Sequence, residues 1–167
     1  MEYAYSASAN AHPCPFSEKG EALLIIYIRP SMNLCRNTLG YRERIKSKKQ
    51  LETLFGGGKS RSMAAFPVRL VYMIQDSTAD APRMMMMVSV GKRHFKHAVK
   101  RNRAKRQMRE AYRLNKHILS PASEKLEGKT LSMGFIWLSD KLMPTEIVEK
   151  SVINLMERLN ERITMDK

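Results

Sequence analysis

The side chains best equipped for chemistry are concentrated between Ala98 and Arg113. The run reads Ala98-Val99-Lys100-Arg101-Asn102-Arg103-Ala104-Lys105-Arg106-Gln107-Met108-Arg109-Glu110-Ala111-Tyr112-Arg113. Guanidinium forks pair with phosphate oxygens two at a time. Asparagine donates to a phosphate or to a base edge. At helical spacing, Ala104, Met108, Ala111 and Ile118 fall on one face with Tyr112 beside them, and Arg101, Lys105, Arg109, Arg113 and Lys116 form a second stripe. An apolar back and a cationic front suit a phosphate backbone.

Other chemistries find weaker support. Gly58-Lys59-Ser60 hints at a phosphate-binding loop, but the first glycine of that motif would fall on Thr53, and a helix rather than a strand precedes it. His94 and His97 lack a third ligand and an acidic neighbour in sequence, so no metal site is expected. No nucleophile–histidine set and no acidic cluster suggests hydrolysis by the protein's own side chains. Cys14 and Cys35 are the only cysteines, which argues against a disulfide framework and for a reducing, cytoplasmic setting.

Several elements must position the basic run. Ser47-Lys48-Lys49-Gln50 reads as a capping box. It opens a short helix through Leu51, Leu54 and Phe55, which Gly56-Gly57-Gly58 stops. Phe66 to Gln75 reads as a strand, Asp76 to Pro82 as a turn, and Arg83 to Gly91 as a second strand, its four methionines being adaptable core. The two strands are expected to form an antiparallel hairpin. The main helix should run from Ala98 to about Leu119 and end at Ser120-Pro121. Lys129 to Leu138 reads as a third strand, with Leu131, Met133, Phe135 and Trp137 on one side. Pro144 opens a last helix with a stripe of Val148, Val152, Leu155 and Leu159. The expected fold class is α+β, an α-β-β-α-β-α sandwich of helices on a small sheet.

Charge follows this organisation. Thirty Lys and Arg stand against 16 Asp and Glu among 167 residues, a formal net charge of +14. Residues 83–117 alone hold twelve basic side chains and one acidic one. Such an excess favours a polyanion partner. A membrane partner is not expected, because no apolar run approaches the roughly 20 residues of a span and the apolar face of the basic helix is modest. Residues 1–38 carry no net charge and no sustained periodicity. They read as a disordered extension or as the product of a start assigned too early, with Met32 as the alternative. Residues 39–163 form the expected polyanion-binding domain, followed by a tail at 164–167.

The Arg101-Asn102-Arg103 helix resembles the signature of the bacterial ribonuclease P protein family. Val88-Ser89-Val90-Gly91-Lys92-Arg93 resembles the strand end and basic turn before that helix, and Arg42-Glu43-Arg44-Ile45-Lys46…Leu51…Leu54-Phe55-Gly56 resembles the family's opening helix. The resemblance spans about Leu39 to Arg162. It implies an auxiliary subunit of a hydrolytic endoribonuclease whose catalyst is RNA. The partners would be ribonuclease P RNA and the 5′ leader of precursor tRNA. Magnesium would serve the RNA, with no cofactor on the protein alone. It assigns RNA contact to Lys92, Arg93, Arg101, Asn102, Arg103, Lys105, Arg106 and Arg109. It also implies a leader cleft between the basic helix and the sheet, lined by Phe55 and Tyr72. Leu51 stands where many members carry Phe, and His94-Phe95-Lys96-His97 is one residue longer than the usual linker. The alternative is a structural RNA-binding protein of ribosomal or assembly-factor type.

Overall fold

The computed structural model describes residues 38–56, 58–77 and 81–165. The expected extension over 1–38 lies essentially outside them. Among the described residues, four strands and four helices follow in the order α1 (Lys48–Gly56), β1 (Arg61–Ala65), β2 (Val68–Asp76), β3 (Met84–Ser89), α2 (Ala98–Asn115), α3 (Ser120–Lys125), β4 (Lys129–Trp137) and α4 (Thr145–Met165). The class is α+β, helices packed on one small sheet, as expected.

Two expectations about strands are corrected. First, Arg61–Ala65 is a strand that the pattern does not announce. Only Met63 is buried there, and the segment has none of the β-branched or aromatic residues that strands favour. Pairing with β2, from Arg61 opposite Tyr72 to Ala65 opposite Val68, makes it a strand. Phe66-Pro67 is thus the turn of a β1–β2 hairpin, not the start of β2. Second, β2 and β3 do not pair. The sheet order is β1-β2-β4-β3, with β4 antiparallel to β2 and parallel to β3. β4 takes the centre because it is apolar or small on both faces, with Thr130 through Phe135 all buried. The β3–β4 pair is closed by a crossover through α2 and α3.

Ser120-Pro121 does not end the helical run. α2 gives way at Lys116–Leu119 to a 3-10 turn, and Ser120 begins α3, with Pro121 in its first turn. Proline is tolerated there because that N–H has no intrahelical acceptor.

The sheet has two unlike faces. On one, Leu70, Tyr72, Met86, Val88, Leu131, Met133, Phe135 and Trp137 join Met108 and Tyr112 of α2 and Val152, Leu155 and Leu159 of α4 in the main core. On the other, Met73 and Met85 pack with Ile45 and Leu54, edged by Leu51, Val71 and Met87. The four consecutive methionines therefore split by strand alternation, Met84 and Met86 to one core and Met85 and Met87 to the other. The chain before α1 lies along the outer edge of β3, where Ile45 N donates to Met86 O at 3.0 Å and Met86 N to Glu43 O at 2.7 Å.

Candidate nucleic-acid interface

The interface starts at the end of β3. A turn at Gly91, with His94 N donating to Gly91 O at 3.2 Å, exposes Lys92 and Arg93. Past His94 the chain plunges inward: Phe95 is buried against Trp137, ring centroids 6.1 Å apart. The Arg101 guanidinium then reaches back, its Nη1 donating to Phe95 O at 2.7 Å and Lys96 O at 2.8 Å. α2 begins immediately behind this loop, with His97 extended at its N-cap and no acidic side chain in the first turn. Its open N–H groups and dipole are thereby left to favour an anion.

α2 is seated by Ala104, Met108, Ala111 and Tyr112, and by Gln107, whose Nε2 donates to Met143 O and Thr145 Oγ1, both at 3.0 Å. The Tyr112 ring lies tilted against Phe135, centroids 5.9 Å apart. Burial, and then the negative charge of Glu43, push its phenol well above the usual tyrosine range. This packing leaves Asn102, Arg103, Arg106 and Arg109 exposed, with Arg101 and Lys105 half-buried.

The cationic stripe is shorter than its spacing implies. Arg113 is turned onto Glu110, its Nε and Nη2 donating to the two carboxylate oxygens at 2.9 and 2.5 Å. That hydrogen bond holds the Glu110 carboxyl below its ordinary value and raises Arg113. Lys116 is buried, with Nζ on Thr38 O at 2.8 Å and on Glu43 at 3.1 and 3.2 Å. The helix lines a groove of about 490 Å³ with Arg106, Arg109 and Arg113, and Arg44 closes it from the segment before α1. Arg44 was not among the expected site residues. Only the pairing of its segment with β3 brings it there.

The cleft is not between α2 and the sheet. That space is filled by the main core, and Tyr72 is part of the filling at 2% exposed. Tyr72 therefore has no ring face to offer and is corrected from cleft to core. The open surface is the opposite face of the sheet. Phe55 stands there half-exposed at 46%, and Leu51 is half-buried beside it. Beyond α1 the same face continues through Ala64 and Arg69, both exposed, to Ile136 and Ser89, both half-buried and in register with Arg69. The row ends where β3 runs into Gly91-Lys92-Arg93. Alternation in β4 already sets Ile136 on the side opposite Phe135 and Trp137, but nothing in the sequence pairs it with Arg69 or leaves that face open.

Among the described residues, no group of three His, Cys, Asp or Glu side chains is placed to hold a metal ion, and no helix is long and apolar enough to cross a membrane. The sequence profile described as Ribonuclease P matches residues 39–160. The chain is 37% identical over 121 residues to a "Ribonuclease P protein component" of Porphyromonas gingivalis, covering 72% of this chain and 85% of that protein. A protein of the same name from Chlorobium phaeobacteroides is 27% identical over 129 residues, covering 74% of this chain and 88% of the relative.

Proposed function

This chain belongs to the bacterial ribonuclease P protein family, and from that premise we propose that it is the cytoplasmic protein subunit that grips the catalytic RNA with α2 and guides the 5′ leader of precursor tRNA along the open sheet face. The observation that carries this reading is the open sheet face: the exposed ring of Phe55 stands over Gly134, the row Arg69–Ile136–Ser89 lies on the same face, and β3 leads from that row into the exposed basic turn at Lys92-Arg93. A single strand is held by a basic groove and a stacking ring, each stacked base contributing ~1–3 kcal/mol. Neither contact reads base edges, so the surface tolerates leaders of any sequence.

Arg103, Arg106, Arg109 and Asn102 face the catalytic RNA, with Lys105 at their side and Lys92 and Arg93 at the junction of the two surfaces. Arg101 acts one step back, by holding the loop that presents that junction. Hydrolysis of the phosphodiester belongs to the RNA and its magnesium ions. The protein binds, orients and screens charge.

The test combines the protein with a bacterial ribonuclease P RNA and precursor tRNA at low magnesium. We expect restored 5′ cleavage, and binding that weakens when the leader is trimmed. RNA binding without stimulation and without leader dependence would instead identify a structural RNA-binding protein.

A further inference from the structure

We propose that His94 is a positioning residue for Arg93, the middle of an Asp140–His94–Arg93 chain that presets one guanidinium for a phosphate of the catalytic RNA. The inference rests on the function proposed above and names a residue that function does not use. His94 Nδ1 lies 2.6 Å from Asp140 Oδ1. A carboxylate is an acceptor only, so the contact selects a ring protonated on Nδ1, and the neutral tautomer of that kind keeps Nε2 as an acceptor. Arg93 Nε donates to that Nε2 at 3.1 Å. The ring thus fixes the guanidinium through its inner nitrogen. Nη1 and Nη2, the terminal fork that fits two phosphate oxygens, remain beyond this contact.

The middle of the chain is more sheltered than its Asp140 end. The His94 side chain is 9% exposed and that of Asp140 is 82% exposed. The ring is held between two braced loops. Behind it, Phe95 is locked on Trp137 and Arg101 on the Phe95 and Lys96 carbonyls. Across from it, Trp137 Nε1 donates to Ser139 O at 2.6 Å, and Ser139 Oγ accepts from Lys141 N at 3.1 Å, which shapes the turn carrying Asp140. Arg93 itself is exposed. An unrestrained surface arginine gives up rotamer freedom when it binds; one already tethered at Nε gives up less.

A double-mutant cycle on affinity for a bacterial ribonuclease P RNA transcript, at fixed salt, separates positioning from other roles. His94→Ala is expected to weaken binding by about threefold to tenfold in the wild-type background and to change nothing further when Arg93→Ala is present. His94→Gln, whose amide offers one donor and one acceptor, is expected to recover most of the loss. Equal losses in both backgrounds would show that His94 acts on the RNA or on the loop itself, and would overturn the proposal. So would an Arg93→Ala protein that binds as tightly as wild type, or a loss that His94→Gln leaves unrepaired and that tracks a lowered melting temperature. Each of these leaves the proposed function standing as long as the wild-type protein binds the RNA and stimulates cleavage. Failure of the wild-type protein to bind would remove that function first.

Discussion

The ring of Phe55 rests on Gly134. A β-carbon built on that glycine would stand 3.2 Å from Phe55 Cζ and 3.2 Å from Leu54 Cδ2. The bare backbone of the central strand is thus the floor on which α1 sits, and it lets the ring lie low while keeping 46% of Phe55 exposed. Gly134→Ala should lift α1, at about 1–2 kcal/mol of stability, and tilt the ring. Phe55→Ala should leave folding nearly unchanged and remove one stacking face, ~1–3 kcal/mol. Binding of precursor tRNA with and without its leader, in the presence of catalytic RNA, checks both. The proposal requires the loss in the leader-bearing substrate alone.

Lys116 belongs to the helical stripe by spacing but to the interior by position. Its ammonium is shared between the Thr38 carbonyl and Glu43, whose side chain is 28% exposed. Lys116→Ala strands a half-buried carboxylate, so it should cost about 2 kcal/mol in urea unfolding, less than a fully buried pair because Glu43 keeps some water. The salt dependence of RNA binding should not move. A slope reduced by the equivalent of one full phosphate would show that Lys116 touches RNA after all.

Arg103 and Arg106 should behave oppositely. Both are exposed on α2, so their alanine variants should keep stability within about 0.5 kcal/mol. Each should reduce the log–log salt slope of duplex RNA binding by up to ~0.9 for every phosphate the variant no longer neutralises. Arg101→Ala should differ again, because Arg101 closes the loop from Phe95 to His97. It should lower stability by about 1 kcal/mol and loosen Lys92 and Arg93 together. Melting curves alongside titrations at several salt concentrations distinguish the three.

Tyr112 predicts an alkaline limit. Its phenol is raised in the folded protein by burial and by Glu43, whereas an unfolded tyrosine ionises near pH ~10. Above that pH the unfolded chain has lost a proton that the folded chain retains. Stability is therefore full below about pH 10 and falls as pH rises further. Phenolate absorbance should show this tyrosine titrating only as the protein unfolds. Tyr112 Oη is buried without a partner, so Tyr112→Phe should be neutral or stabilising by up to about 1 kcal/mol and should shift the alkaline transition upward.

What the sequence by itself determined is local or one-dimensional. The charge concentration over residues 83–117, the Arg101-Asn102-Arg103 helix with its apolar back, the inward alternation of Leu131, Met133, Phe135 and Trp137, and the stripe of α4 all follow from spacing along a single element. What only the tertiary structure decided depends on which elements meet. β4 displaced β3 from β2 because a strand buried on both faces is best placed at the centre, and no local pattern specifies that pairing. Strand pairing made β1 from a sequence with little preference for it. Packing of α2 and α4 on one side of the sheet sent Tyr72 into the core and left Arg69 and Ile136 on the open face, because successive residues of a strand point to opposite sides and only the covered side is buried. The partners of Arg113, Lys116 and His94 turned three apparent surface groups into two braces and a tether. Periodicity assigns a side chain to a face of its own element; what lies opposite that face is set by contacts between residues distant in the chain, and a pattern of neighbours does not encode them.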